Sequence, residues 1–484
     1  MQAGETLVAN PQQKVEIVGA GLAGALLGLL LARRGFAVNL YDRRPDPRHS
    51  RAERGRSINL ALAARGIRAL ERAGIMDRIR PLMIPMRGRM IHEQNGATGL
   101  QLYGHRENEV IYSVDRGALN RVLIEAAARH SGVALHFEHT CIGVDSNGGG
   151  VRFRDSHGSE RIVAASPAFA TDGAGSAVRA SLASSGTIVA REAWLDHDYK
   201  ELSIPDRDGR HALETNALHI WPRGGFMLIA LPNTDGSFTA TLFLAREGIN
   251  SFAALGAPAA VSEFFEQQFP DIAALIPDLA AQFAANPTGR LATVHANPWH
   301  SGQTLLLGDA AHAIVPFHGQ GMNAAFEDCR VLDECVERRG GRDSPRSAIG
   351  ISAGPVLQSA QWSELFADFT RSRQPNTAAI AAMALENYTE MRDTVLDPGY
   401  VRRKALAVEL EKRFPDRFIP RYSMVMFHPE IPYAEAQRRG VIQEEILREL
   451  TRDPAFAAGE APPGQAVSFV AAERLLTERL PPIV

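Results

Sequence analysis

Gly19-Ala20-Gly21-Leu22-Ala23-Gly24 stands between two apolar runs, Lys14 to Val18 before it and Ala23 to Arg34 after it, and a third run from Ala37 to Tyr41 ends at Asp42. The first and third are strand-length and the second is helix-length, so together they read as a βαβ unit within a parallel sheet, with a right-handed crossover. In such a unit the first glycine permits a tight turn. The second lets backbone approach a pyrophosphate, and the third allows close packing of helix on strand. The helix N-terminus adds unpaired N–H groups and the positive end of the dipole. Asp42 is spaced to accept hydrogen bonds from a ribose diol. The turn thus predicts a dinucleotide site and leaves FAD and NAD(P) both open.

Two later segments narrow the choice. Thr171-Asp172-Gly173-Ala174-Gly175-Ser176 follows a small apolar strand, and Leu305-Leu306-Leu307-Gly308-Asp309-Ala310-Ala311-His312 precedes Pro316-Phe317-His318-Gly319-Gln320-Gly321-Met322-Asn323 and a helix. With these residues the chain resembles the single-component aromatic hydroxylases that use FAD. The resemblance implies an α/β fold: a Rossmann-type FAD-binding domain with an inserted antiparallel β-sheet substrate domain and a C-terminal helical region. It implies a flavin held by Gly19, Gly21, Leu22, Ala23, Gly24, Asp42, Arg43, Arg44, Ala61, Arg116, Asp172, Asp309, Pro316, Gly319, Gln320, Gly321, Met322 and Asn323. A helix opened by Gly319 and Gly321 can face the electron-accepting end of the ring and stabilise its reduced, negative form. Only one full GxGxxG is present, which fits transient binding of NADPH as co-substrate and disfavours two-domain disulfide reductases.

Further segments carry a closer likeness. Arg54-Gly55-Arg56-Ser57-Ile58-Asn59-Leu60-Ala61-Leu62, Met86-Arg87-Gly88-Arg89-Met90, Asn216 to Pro222 and Ala384-Leu385-Glu386-Asn387-Tyr388 resemble the kynurenine 3-monooxygenase family over nearly the whole chain and in the same order. This implies ring hydroxylation of L-kynurenine with NADPH and O2, through a C4a-hydroperoxide of the flavin, with no general base assigned. It implies that Arg89 and Tyr103 hold the substrate carboxylate, with Asn387 and Tyr422 completing the pocket. Arginine's planar fork suits bidentate carboxylate binding. Asn387 lies on a helical face with Ile380, Met383, Ala384, Tyr388 and Met391, which turns its amide inward. On residues alone, Arg87 and Arg89 read as a solvated strand pair, and His312 and His318 as loop supports rather than acid–base groups. Other open readings are a hydroxylase of a related aryl amine or phenol, and a flavin-binding protein without oxygenase activity. The chain departs from the family at Asp42, where Glu is usual, at Thr171, where Ala is usual, and in a tail without an apolar anchor.

Composition sets outer limits. The 484 residues exceed one ordinary core. The divisions expected are 1–75, 105–180 and 290–360 for the FAD domain, 76–104 and 181–289 for the substrate sheet, and 361–484 for the helical region. A net charge of −3 argues against a nucleic-acid surface. The basic loop of Arg43, Arg44, Arg48, Arg51, Arg54 and Arg56 is interrupted by Asp46 and Glu53. The three cysteines form no CxxC or Cys/His cluster, so no disulfide framework or metal site is expected, and a reducing compartment fits. The most apolar stretch, Leu22 to Ala32, is too short to span a bilayer. A cytoplasmic protein without a membrane anchor is the expectation, with the oligomeric state open.

Overall fold

The computed structural model describes residues 12–49, 59–145, 150–163, 166–339, 356–452, 456 and 467–483. Arg54 to Ile58, part of the closer likeness, and the basic-loop residues Arg51 and Glu53 lie outside them.

The βαβ unit forms as read, with strands Lys14–Val18 and Ala37–Tyr41 flanking the helix Leu22–Arg33. That helix is apolar on nearly every side, a pattern that requires burial all round. It packs between the helices Arg116–Ala128 and Gly321–Arg339 on one face of the sheet. The six-stranded sheet runs in the order His300–Ser301, Thr304–Leu306, Ala168–Ala170, Lys14–Val18, Ala37–Tyr41, Val133–His136. All pairings are parallel except the terminal His300–Ser301 hairpin. The three strands that lead into the three motifs are therefore neighbours, and their C-terminal ends deliver the glycine turns to one edge.

The inserted sheet has seven strands in the order Thr288–Asn297, Val189–Ile204, Phe238–Ala245, Met227–Pro232, Leu218–Pro222, Gly88–His92, Thr98–Leu102. Its pairings are antiparallel with one departure: Leu218–Pro222 runs parallel to Gly88–His92, because the two are joined by a long excursion rather than a hairpin. The strand Thr288–Asn297 runs across the expected boundary at 289/290. The described chain from Val356 onward is helical, led by the 31-residue helix Ser359–Thr389, which runs into a π-helical turn at Glu390–Thr394. Among the described residues no helix is long and apolar enough to cross a membrane.

Candidate active site

At the sheet edge the glycines divide into two kinds. Gly19 adopts φ +100, and a Cβ there would stand 2.5 Å from the Thr171 carbonyl oxygen; one on Gly24 would stand 1.9 Å from the Gly19 oxygen. These two are fixed by packing. Gly21, Gly173 and Gly175 instead face open space, with nothing within 4 Å of a built Cβ. The Thr171 hydroxyl donates to the carbonyls of Val18 (2.9 Å) and Gly19 (2.8 Å), locking the first motif to the second. The helix Leu22–Arg33 begins at Gly21 with no side-chain cap, leaving its first N–H groups for an anion.

The three acids differ in their engagements. Asp42 accepts from the Ala20 N–H at 2.8 Å and from Arg44 through both oxygens. Burial works against its charge, but Arg44 and the backbone donors hold it below the ordinary carboxylate range. A ribose hydroxyl would share this carboxylate with Arg44. Asp172 caps the helix Ala177–Ser184 through the N–H groups of Ala177 and Val178, yet its Oδ1 is buried without a partner, and burial raises its pKa. Asp309 is exposed at the head of the short helix Asp309–His312. Arg43 and Arg116 are also exposed. An uncapped helix end, an open glycine and an unpartnered acceptor fit a dinucleotide, and the edge accommodates FAD.

Behind the Gly308-Asp309 turn lies a buried ion network. The Asp328 carboxylate accepts from the Gly308 N–H (3.2 Å), His312 (2.5 Å) and Arg373 (2.7 Å). Arg373 also pairs with Glu327, which pairs in turn with Arg65. His312 is thus a support for the turn, as expected. Gln320 and Asn323 have their side chains engaged within the protein. Gln320 accepts from the Tyr433 hydroxyl and donates to the Met426 sulfur. Asn323 accepts from the Ala63 N–H and donates to the carbonyls of Ala61 and Gly319. Only their backbones remain for a cofactor.

Beside this edge an apolar cavity is enclosed by the inserted sheet. Met227, Ile229 and Leu231 on one strand and Thr239, Thr241 and Phe243 on the next line it by alternation, and Ala61, Pro316, Phe317, His318 and Gly319 close it on the cofactor side. Arg89 and Tyr422 form its polar end. Arg89 is only 3% exposed, so the solvated-pair reading fails for it; Arg87, just ahead of the strand, is exposed. The Arg89 guanidinium lies over the Tyr422 ring at 4.9 Å, donates to Asn387 Oδ1 at 3.3 Å, and pairs with Glu390 at 2.9 Å. Tyr103 stacks on Tyr422 with centroids 5.3 Å apart. All four expected substrate residues therefore gather in one cluster. Asn387 and Tyr103 stand behind Arg89 and Tyr422, and Asn387 also donates to the Phe317 carbonyl at 2.6 Å. Both Arg89 Nε and the Tyr103 hydroxyl are buried without partners.

Glu390, Tyr400 and Lys404 belong to this cluster and were not anticipated. Burial raises the Glu390 pKa, but Lys404 and Arg89 outweigh it and keep the carboxylate ionised. Its position three residues after Asn387 was the available signal, since i and i+3 share a helix face. The π-helical turn that starts at Glu390 has no sequence signature. His318, stacked on Tyr422 at 5.3 Å, is pushed down to about 4 by burial and stays neutral.

The FAD binding domain family matches residues 12–334. A kynurenine 3-monooxygenase of Stenotrophomonas maltophilia is 44% identical over 91% of this chain and 93% of its own length. One of Myxococcus xanthus is 44% identical over 97% of this chain and 96% of its own. The chain belongs to the kynurenine 3-monooxygenase family. Its fold extends further, to p-nitrophenol 4-monooxygenase from Pseudomonas putida, with a TM-score of 0.61 at 17% identity over 90% of this chain and 97% of that one. At that identity the likeness concerns the fold alone. Members of the kynurenine 3-monooxygenase family are FAD enzymes, and in this one the Pro316–Gly319 turn lines the apolar cavity.

Proposed function

We propose that this protein hydroxylates L-kynurenine at ring carbon 3, with FAD as cofactor and NADPH and O2 as co-substrates, in the cytoplasm. The observation that carries the reading is Arg89, which lines a mostly apolar cavity with its Nε buried and unpartnered; just behind it the Tyr103 hydroxyl, stacked on Tyr422, is also buried without a partner. A buried donor without an acceptor costs about 1–3 kcal/mol, and a substrate carboxylate removes that cost. The aryl ring would then lie among Met227, Ile229, Phe243 and Phe317, directed at the Pro316–Gly319 turn. Bound FAD supplies reduction by NADPH and the activation of oxygen. The chain supplies orientation and dryness: the Tyr103–Tyr422 stack holds the arginine, Asn387 ties it to Phe317, and the apolar walls exclude water. A reducing compartment suits the three free cysteines.

The test is a flavin spectrum of the purified chain and product analysis with NADPH, O2 and L-kynurenine. The 3-hydroxy product is expected, with NADPH oxidation coupled to it. Arg89→Ala should weaken kynurenine about tenfold to hundredfold, the loss of a charge-assisted contact, while FAD remains bound. Oxidation of NADPH coupled better to another aryl amine or phenol would overturn the substrate, and a colourless protein would overturn the cofactor.

A further inference from the structure

Outside the lining of the cavity, three acid and imidazole side chains from three separate segments meet. Glu109 precedes the strand Ile111–Asp115, Glu411 lies near the end of the helix Pro398–Arg413, and His428 follows the helix Arg421–Phe427. Each offers one ligand atom within 4.8 Å of the other two. The first two are carboxylates almost wholly removed from water, Glu411 at 0% and Glu109 at 4% exposure. Their counter-charge is slight. A single nitrogen of Arg106 donates to both, at 2.8 Å to Glu109 and 2.9 Å to Glu411, from a side chain that is 39% exposed.

One acceptor in the cluster is left over. Glu411 Oε2 is buried with no hydrogen-bond partner; His105 Nδ1 lies 3.3 Å from it, an ion-pair distance when that imidazole is protonated, but makes no hydrogen bond to it. His428 holds its Nδ1 2.9 Å from the Glu430 carboxylate. A carboxylate on one imidazole nitrogen fixes the tautomer that leaves the other nitrogen as a ligand, the arrangement found behind metal-bound histidines. Two buried carboxylates, an oriented imidazole and an unpartnered oxygen form a donor set of mixed O and N character, which suits zinc-class divalent ions.

We propose that Glu109, Glu411 and His428 form a divalent-cation site of the zinc class, unrelated to the redox chemistry, which ties the loop after Tyr103 to the helix that carries Tyr422. The expectation of no metal site, drawn from cysteine spacing, did not reach this cluster because its residues are carboxylates and histidine widely scattered along the sequence. A bound cation would replace the Arg106 head, which can swing into water.

The experiment uses the FAD-loaded full chain, stripped with a chelator and then dialysed against Zn2+. One equivalent should be retained, with a Kd at least tenfold weaker in His428→Gln and in Glu411→Gln. His428 keeps 23% of its side chain exposed, against none for Glu411, so its variant keeps the test valid if the Glu411 variant does not fold. Arg106→Ala strips the carboxylates of their counter-charge and should melt at a lower temperature than the unsubstituted protein, and Zn2+ should restore it. Equal zinc retention by the unsubstituted protein and His428→Gln would overturn the proposal, as would a melting temperature of Arg106→Ala that Zn2+ does not change.

Discussion

Arg89 shows how much one side chain's meaning depends on what surrounds it. In sequence it sits two residues from Arg87 on a strand, and period-two alternation places both on one face. The structure separates them by burial: Arg87, at the mouth of the strand, is exposed, whereas Arg89 is buried. Arg89 is enclosed by Tyr422, Asn387 and Glu390. Local pattern could not show this, because the three partners arrive from the distant C-terminal helices. His318 offers a residue-scale prediction. Its folded pKa of about 4 lies below the ordinary 6.5, through burial. As pH falls below 6.5 the unfolded chain takes up a proton that the folded chain refuses until about pH 4, so stability declines across that window. Between pH 7 and pH 4.5 the unsubstituted protein should lose roughly 2 kcal/mol more stability than His318→Phe, read by urea unfolding at each pH. Equal losses would show that His318 carries no such penalty.

At the scale of elements, the strand–turn–helix of Lys14–Arg33 was legible to within a residue because every local signal agreed: apolar strand, spaced glycines, apolar helix. The hairpins over Leu218–Ala245 were equally plain, with glycine turns between β-rich runs. The parallel pairing of Leu218–Pro222 with Gly88–His92 was not, since a pairing between strands so far apart in sequence leaves no mark in either one. The same holds for Gln320, whose side chain serves Tyr433, and Asn323, whose side chain ties the Ala61–Ala63 segment to Gly319. Gly24 supports a prediction at this scale. A Cβ there meets the Gly19 carbonyl at 1.9 Å and the Thr171 hydroxyl at 2.5 Å, both fixed by the sheet, so the helix must move away from the strand. Gly24→Ala should therefore purify with little or no FAD, measured by absorbance at the flavin band. Full retention would mean that the turn adjusts more freely than its contacts suggest.

The whole molecule is joined by charge as well as by apolar packing. Arg65 comes from an early helix, Glu327 and Asp328 from the helix after the third motif, and Arg373 from the long C-terminal helix, so the Arg373 pairs join the C-terminal helical part to segments far earlier in the chain. All four are almost completely buried. A buried pair of this kind adds little net stability when intact, because desolvation offsets attraction, but removing one partner strands a charge at a cost of about 3–5 kcal/mol. Arg373→Met takes a partner from two carboxylates at once, while Glu327 keeps Arg65 and Asp328 keeps His312, so the cost should fall near the lower end of that range. Asp328 also holds the Gly308 N–H and His312, so the loss should reach the cofactor edge. The variant should unfold at lower urea by that amount and release FAD more readily, whereas an exposed control, Arg371→Met, should do neither. If Arg373→Met lost stability but kept its flavin as tightly, the network would serve the assembly of the helices alone, and the Gly308-Asp309 turn would owe its position to the sheet beneath it.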